Sequence, residues 1–211
     1  MIEKKLFSDH IKEYEAWFKK YPFVFKSEVA AIKKLLPKAK SLRGLEIGPA
    51  TGRFSKALGI KEGIEPSEKM RDLAKRKGIF VVNALAEDLP YKSLQFDFVL
   101  MNFCISYFEN LSRAFKEALR VLKKGGCLIV GFIDKDGKIG EHYQDKKSSS
   151  IFYKDARFYS VNKIKKELRK AGFTDLQFVQ TLFHDLKKIK TIEMPLPGYG
   201  KGSFVIIKAN T

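Results

Sequence analysis

Glu46, the glycine-bracketed turn Gly48-Pro49-Ala50-Thr51-Gly52 and Glu65 are the residues of this chain best suited to hold a charged ligand. Leu45 and Ile47 end a short apolar run, the turn is poor in side chains, and Arg53 to Leu58 reads as a helix start. A strand that stops at a glycine turn and resumes as a helix is how α/β folds hold nucleotide cofactors. Small residues let the backbone approach the ligand, and the helix start turns free N–H groups toward it. Glu46 narrows the choice, because a carboxylate there repels a pyrophosphate and attracts an ammonium group. Glu65 follows 19 positions later, after a second apolar run. An acid about 20 positions on is where such a unit holds a ribose. Its two acceptor oxygens match the two hydroxyls of a cis-diol.

The turn does not fit the dinucleotide fingerprint G-x-G-x-x-G. It resembles motif I of the class I S-adenosylmethionine-dependent methyltransferases, acidic-x-G-x-G-x-G, with Ala50 at the middle glycine. If position 50 is left-handed, alanine there costs roughly 1–2 kcal/mol. Further matches follow in the family's order. Ala84-Leu-Ala-Glu-Asp-Leu-Pro90 resembles the adenine loop G-[DN]-A-E-x-L-P, with Leu85 where a polar residue is common. Phe96 to Asn102 resembles the strand 4 motif. Arg120-Val-Leu-Lys-Lys-Gly-Gly126 resembles R-V-L-K-P-G-G, with Lys124 replacing proline. The resemblance is greatest to the small-molecule branch that includes the ubiquinone/menaquinone-biosynthesis enzymes. It implies S-adenosylmethionine as cofactor, S-adenosylhomocysteine as product, and no metal. It assigns cofactor contacts to Glu46, Gly48, Pro49, Ala50, Gly52, Glu65, Pro66, Met70, Leu85, Ala86, Glu87, Asn102 and Phe103.

Methyl transfer is an in-line displacement at a sulfonium whose leaving group departs neutral, so position matters more than acid–base help. No conspicuous catalytic residue is required, and none stands out. Tyr14 and His142 are the candidates, His142 as a general base. Aromatic faces suit a sulfonium, and Tyr14, Trp17, Phe18, Tyr107 and Tyr143 are the candidate substrate wall and lid. A helix packing an aromatic stripe on the sheet accounts equally for Tyr14, Trp17 and Phe18.

The elements that must position these groups alternate along the chain. Ile11, Tyr14, Trp17, Phe18 and Tyr21 recur at helical spacing until Pro22, and Val29, Ile32, Leu35 and Leu36 mark a second helix. Strands follow at Leu45–Ile47, Ile60–Ile64, Ile79–Val82, Phe96–Asn102 and Cys127–Ile133, with helices between most of them. Asp134 to Phe158 reads as a long irregular segment carrying His142 and Tyr143 over the active-site edge. Ser160 caps a last helix before strands at Leu176–Thr181 and Ser203–Ala209. The fold expected is α/β, a Rossmann-like, seven-stranded, mostly parallel, doubly wound sheet with an N-terminal helical cap and an antiparallel last strand. At 211 residues the chain suits one domain, with 1–40 as cap, 41–133 as cofactor-binding core and 134–211 as the substrate-side loop and last strands.

The formal charge is +17, with eight arginines among 41 basic residues. A nucleic-acid footprint favours clustered arginine with interleaved aromatics. Here lysines occupy polar helix positions, as expected of a solvated surface or a thermophile, so nucleic acid is disfavoured as a partner. A mildly anionic substrate stays compatible. No run is apolar and long enough to span a membrane. Cys104 and Cys127 lie in apolar runs read as neighbouring strands, buried and reduced, and imply a cytoplasmic protein. The reading is methyl transfer to a small molecule through N, O or C. The alternatives are a cofactor-binding protein without turnover and an RNA methyltransferase, and Glu46 disfavours a nicotinamide oxidoreductase.

Overall fold

The computed structural model describes residues 2–39 and 41–211, with the backbone alone for residues 2–5. The apolar runs form strands β1 (Gly44–Ile47), β2 (Glu62–Ile64), β3 (Phe80–Val82), β4 (Phe96–Asn102), β5 (Leu122–Ile133), β6 (Thr174–Thr181), β7 (Leu196–Pro197) and β8 (Phe204–Asn210). They make one sheet in the order β3-β2-β1-β4-β5-β8-β6-β7. The first five strands in that order pair parallel, and β8 pairs antiparallel with both β5 and β6. Helices α1 (Ile2–Asp9), α2 (Ile11–Lys20) and α3 (Pro22–Leu35) precede the sheet. Helices α4 (Arg53–Leu58), α5 (Glu68–Arg76), α6 (Leu111–Val121), α7 (Lys138–Asp145) and α8 (Val161–Ala171) lie between strands.

Both faces of the sheet are covered, as the unbroken apolar character of its central strands demands. Val99 and Met101 of β4 face one way, into a core with Phe115 and Ala118 of α6 and Ile164 and Leu168 of α8. Phe98 and Leu100 face the other way, against Val24 and Ile32 of α3 and Phe54 of α4. Burial of each such side chain contributes about 1.5–3 kcal/mol, which fixes the register of β4. Gly44 is obligatory, since a Cβ there would lie 2.0 Å from the Phe98 ring. Strand order reverses between β1 and β4, and the carboxyl ends of the strands at such a reversal open a ligand crevice.

The structure corrects several expectations. The sheet has eight strands, because Leu196 and Pro197 add a two-residue edge strand beside Gln180 and Val179. Proline is tolerated there because an edge strand leaves one side without ladder partners. Pro22 does not merely end the first aromatic helix. It is the first residue of α3, where its missing N–H costs nothing. The segment after β5 is not irregular, since α7 runs through it and carries both His142 and Tyr143. Cys104 lies outside β4, because Phe103 turns left-handed at φ 61° and starts a short 3₁₀ turn. Only Cys127 is a strand residue, and both thiols are free.

Candidate active site

The crevice is built first by the turn after β1. The Gly48 N–H donates to the Ile64 carbonyl (2.8 Å), and the Gly52 N–H donates to the Pro49 carbonyl (2.8 Å). Gly48 has φ 67°, and a Cβ there would press on Cys104 at 3.0 Å. Ala50 has φ 49°, so the departure from the family glycine sits in the left-handed conformation that alanine dislikes. Gly52 has a different duty. A Cβ there would meet Ile79 at 2.5 Å and Ala74 at 3.2 Å, so it lets α4 pack against α5 and does not line the crevice.

Two carboxyl groups point into this crevice. Glu46 is buried and accepts a hydrogen bond from the Ser55 hydroxyl of α4. Burial pushes its pKa from 4.5 up to about 7, opposed by the Ser55 hydrogen bond and reinforced by the charge of Glu65. Glu65 is 8% exposed, and each oxygen already takes one backbone N–H, from Ala50 (3.1 Å) and from Ser67 (2.9 Å). Burial raises its pKa too, against those two hydrogen bonds and the nearby Arg71. Two buried carboxyls share one crevice, and neither has an ion pair among the described residues. That is the environment a cationic, hydroxyl-bearing ligand completes.

The loop over the crevice edge is held from α6. Arg120 donates to the carbonyls of Tyr91 (2.7 Å) and Leu89 (3.1 Å) and pairs with Glu117, which in turn accepts the Leu89 N–H at 2.9 Å. Glu87 accepts the Asn110 N–H at 3.1 Å. The R-V-L-K segment therefore contributes a clamp on the loop. Ala86 is buried beside the crevice, and Leu85 is exposed at its rim.

Helices α1 and α2 form the roof. Phe7 stacks on Phe152 at 5.5 Å and meets Tyr107 edge-on, and the Tyr107 hydroxyl donates to the Phe152 carbonyl at 3.1 Å. Glu15 ties α2 to the motif turn through Thr51 (2.5 Å) and through the Arg53 guanidinium. Tyr14 lies deep in the crevice; burial, then the charges of Glu65, Glu46 and Glu15, push its phenol upward. Trp17 and Phe18 of α2, Tyr107 and Tyr143 also face the cavity. His142 does not; it lies exposed on the far side of α7.

The structure brings Glu46, Gly48, Pro49, Ala50, Glu65, Pro66, Met70, Leu85, Ala86, Glu87, Asn102 and Phe103 around the same cavity. Asn102 is buried at the end of β4, and neither its amide oxygen nor its nitrogen has a partner among the described residues. Of the five non-glycine residues with positive φ among the described residues, Ala50, Phe103 and Leu182 all line the cavity, and strain of this kind gathers at functional sites. Sequence reasoning missed Phe7, Glu28, Phe152, Tyr153, Phe158 and Leu182. Glu28 had a legible signal, because it sits at i+4 from Val24 and i−4 from Ile32, an acid on an apolar helix face.

A crevice at the reversal of a parallel sheet, with two buried acids and a close-approach turn, defines a nucleotide-cofactor-binding α/β enzyme. A methyltransferase-domain family model matches residues 45–130. The crystal structure of a SAM-dependent methyltransferase, possible histamine N-methyltransferase, from Thermotoga maritima superposes with a TM-score of 0.94 at 45% identity, covering 98% of each chain. An uncharacterized protein of Methanocaldococcus jannaschii is 42% identical over 97% of this chain and 98% of its own length. The ubiquinone/menaquinone biosynthesis C-methyltransferase UbiE of Vibrio vulnificus is 30% identical over 42% of this chain and 40% of its own. The chain belongs to the class I S-adenosylmethionine-dependent methyltransferases. Its cofactor is S-adenosylmethionine, and the buried acid pair and unpartnered Asn102 amide fit that group. Among the described residues no cluster of His, Cys, Asp or Glu could hold a metal ion, and no helix is long and apolar enough to cross a membrane.

Proposed function

We propose that this methyltransferase acts on a small organic molecule enclosed beneath α1, α2 and α7, in the cytoplasm. Bound S-adenosylmethionine supplies an electrophilic methyl group. The chain's own residues bind, orient and exclude water. Glu65, pinned by two backbone N–H groups, keeps a lone pair on each oxygen for the ribose hydroxyls. Glu46 takes the methionine ammonium. The turn Gly48–Ala50 gives the backbone close approach, Pro66 and Met70 flank the ribose, and the loop 85–87 borders the adenine. Asn102 and Phe103 border the reacting end, and Tyr14 offers an aromatic face to the sulfonium. The division of labour is that of one domain, with residues 1–40 as cap, 41–133 as cofactor core and 134–211 as the acceptor side.

One observation carries the choice of a small acceptor. Beyond the motif turn and loop 85–87, the cavity is lined by side chains of α2, α3 and α7 and by the stacked rings of Phe7 and Phe152. The acidic and basic side chains described in the whole lining are the carboxyl groups of Glu28, Glu46, Glu65, Glu87 and Glu109, with no lysine, arginine or histidine. Such a lining repels a phosphate backbone, so neither an RNA acceptor nor the mildly anionic substrate that the net charge allowed is supported.

Calorimetry with S-adenosylmethionine, S-adenosylhomocysteine, NAD and NADP tests the cofactor assignment, and only the first two are expected to bind. Mass spectrometry after incubation with small amines (histamine first, given the Thermotoga relative), phenols and bulk RNA tests the acceptor. Methylation of RNA alone would overturn the proposal.

A further inference from the structure

We propose that Glu28 is the specificity-determining anchor of the acceptor site and that the acceptor is a small amine held there as an ammonium group. The proposal rests on the small-molecule methyltransferase reading and adds the class of substrate. Glu28 lies on the inner face of α3, 1% exposed, between Val24 and Ile32, which pack into the core. Its Oε2 is fully buried with no hydrogen-bond partner among the described residues, and the side chain lines the cavity. Burial is the cause that raises its pKa, and the described lining of the cavity holds no lysine, arginine or histidine to offset it.

A purely structural role fits these facts poorly. A buried carboxyl without a partner opposes folding, and a residue of similar size without charge would fill the space better. The surroundings match a cation instead. Tyr143 and Tyr153 stack at 4.4 Å with an interplanar angle of 28°, and Phe158 lies 5.6 Å from Tyr153. Burial first, and the nearby Glu28 carboxyl as a smaller cause, push both phenols up. Trp17 closes the same end from α2. Aromatic faces around one carboxylate are the arrangement that selects an ammonium over a neutral group of equal size. The absence of any base among the described lining residues removes the counter-charge that an acidic acceptor needs.

The experiment uses the full chain saturated with S-adenosylhomocysteine and titrates matched probes of equal size by calorimetry. The probes are 2-phenylethylamine against 2-phenylethanol, tryptamine against tryptophol, and 3-phenylpropanoate as the anion. At least one amine is expected to bind tenfold or more tightly than its alcohol, and the anion not at all. Glu28→Gln is expected to weaken the amine at least tenfold and bring it level with its alcohol, while S-adenosylhomocysteine affinity stays unchanged. Equal or tighter binding of the alcohols, preference for the anion, binding of no amine, or an amine preference that survives in Glu28→Gln each overturns the proposal. The wild-type comparison decides even if the variant does not fold. Failure of S-adenosylhomocysteine itself to bind is a separate result, and it strikes the methyltransferase reading instead.

Discussion

Removing the charge of Glu46 should reveal a pH dependence that belongs to this one side chain. Its pKa is raised from 4.5 to about 7, chiefly by burial, with Glu65 adding to the rise and Ser55 opposing it. A raised carboxyl pKa means that the folded state holds the proton more tightly than the unfolded state. The contribution of Glu46 to stability is therefore greatest below pH 4.5 and declines as pH climbs toward 7, because at this position only the unfolded chain ionises in that window. At about 1.4 kcal/mol per pKa unit, the decline amounts to about 3 kcal/mol for the ligand-free protein. A bound ammonium reverses the preference by stabilising the carboxylate. Affinity for S-adenosylhomocysteine should then rise about eightfold from pH 6 to pH 7.5, as Glu46 loses its proton before binding.

Titration calorimetry across that range, on wild type and Glu46→Gln, is the assay. The variant should bind at least tenfold more weakly at pH 7.5, and most of the pH slope should be gone. Glu65 also has a raised pKa, so a shallow residual slope in Glu46→Gln is expected, and it should vanish in the double variant Glu46→Gln/Glu65→Gln. A wild-type affinity that is flat with pH, or a slope unchanged in Glu46→Gln, would refute the assignment of the ammonium to Glu46.

Three further outcomes are expected. Glu65→Ala should cut S-adenosylhomocysteine affinity at least tenfold and also lower ligand-free stability by about 1–3 kcal/mol, because the Ala50 and Ser67 N–H groups lose their acceptor; unchanged thermal unfolding would contradict this. Ala50→Gly should leave the ligand-free protein as stable or up to about 1 kcal/mol more stable in chemical denaturation, since relief at φ 49° outweighs the entropy glycine adds to the unfolded chain. Trp17 is the only tryptophan, so saturating S-adenosylhomocysteine should shift its emission and protect residues 8–21 from hydrogen exchange; no change in either would make α2 a permanent wall and not a lid.

How much was legible depended on whether a feature was local. The turn after β1 and the cap at Ser160 are set by residues within a few positions, and each stands where the sequence put it. The parallel core followed from alternating apolar runs. The errors arose where tertiary contacts decided. Leu196 and Pro197 pair with β6 only because the sheet is already there. Helix α7 forms in a lysine- and serine-rich stretch because Ile139 docks into the core and its N–H finds the Ser203 hydroxyl at 3.2 Å. Gly52 of the motif turn also has a packing duty that only the fold shows, since a side chain there would meet Ile79 and Ala74. Glu65 was expected to spend both oxygens on a ligand, and the backbone of the turn takes part of each.

Net charge and cavity chemistry differ for a reason of scale. The chain carries +17, and that surplus sits on exposed lysines whose influence fades over about 8 Å at physiological ionic strength. Inside the cavity the acidic and basic side chains described are all carboxyls, and in the low dielectric of a walled site each one favours a bound cation more than the many outer bases oppose it. Glu28 shows why the distinction belongs to function. One acid on the apolar face of α3 is almost invisible in the composition, yet it lines the cavity at the place where the proposed ammonium group would sit. The basic surface suits solubility and heat, and under the proposal the acidic interior selects which molecules enter and stay. A sequence reading that sums charge over the whole chain mixes these two populations. A reading that places each charge on its helix face would have found Glu28 before any coordinates existed.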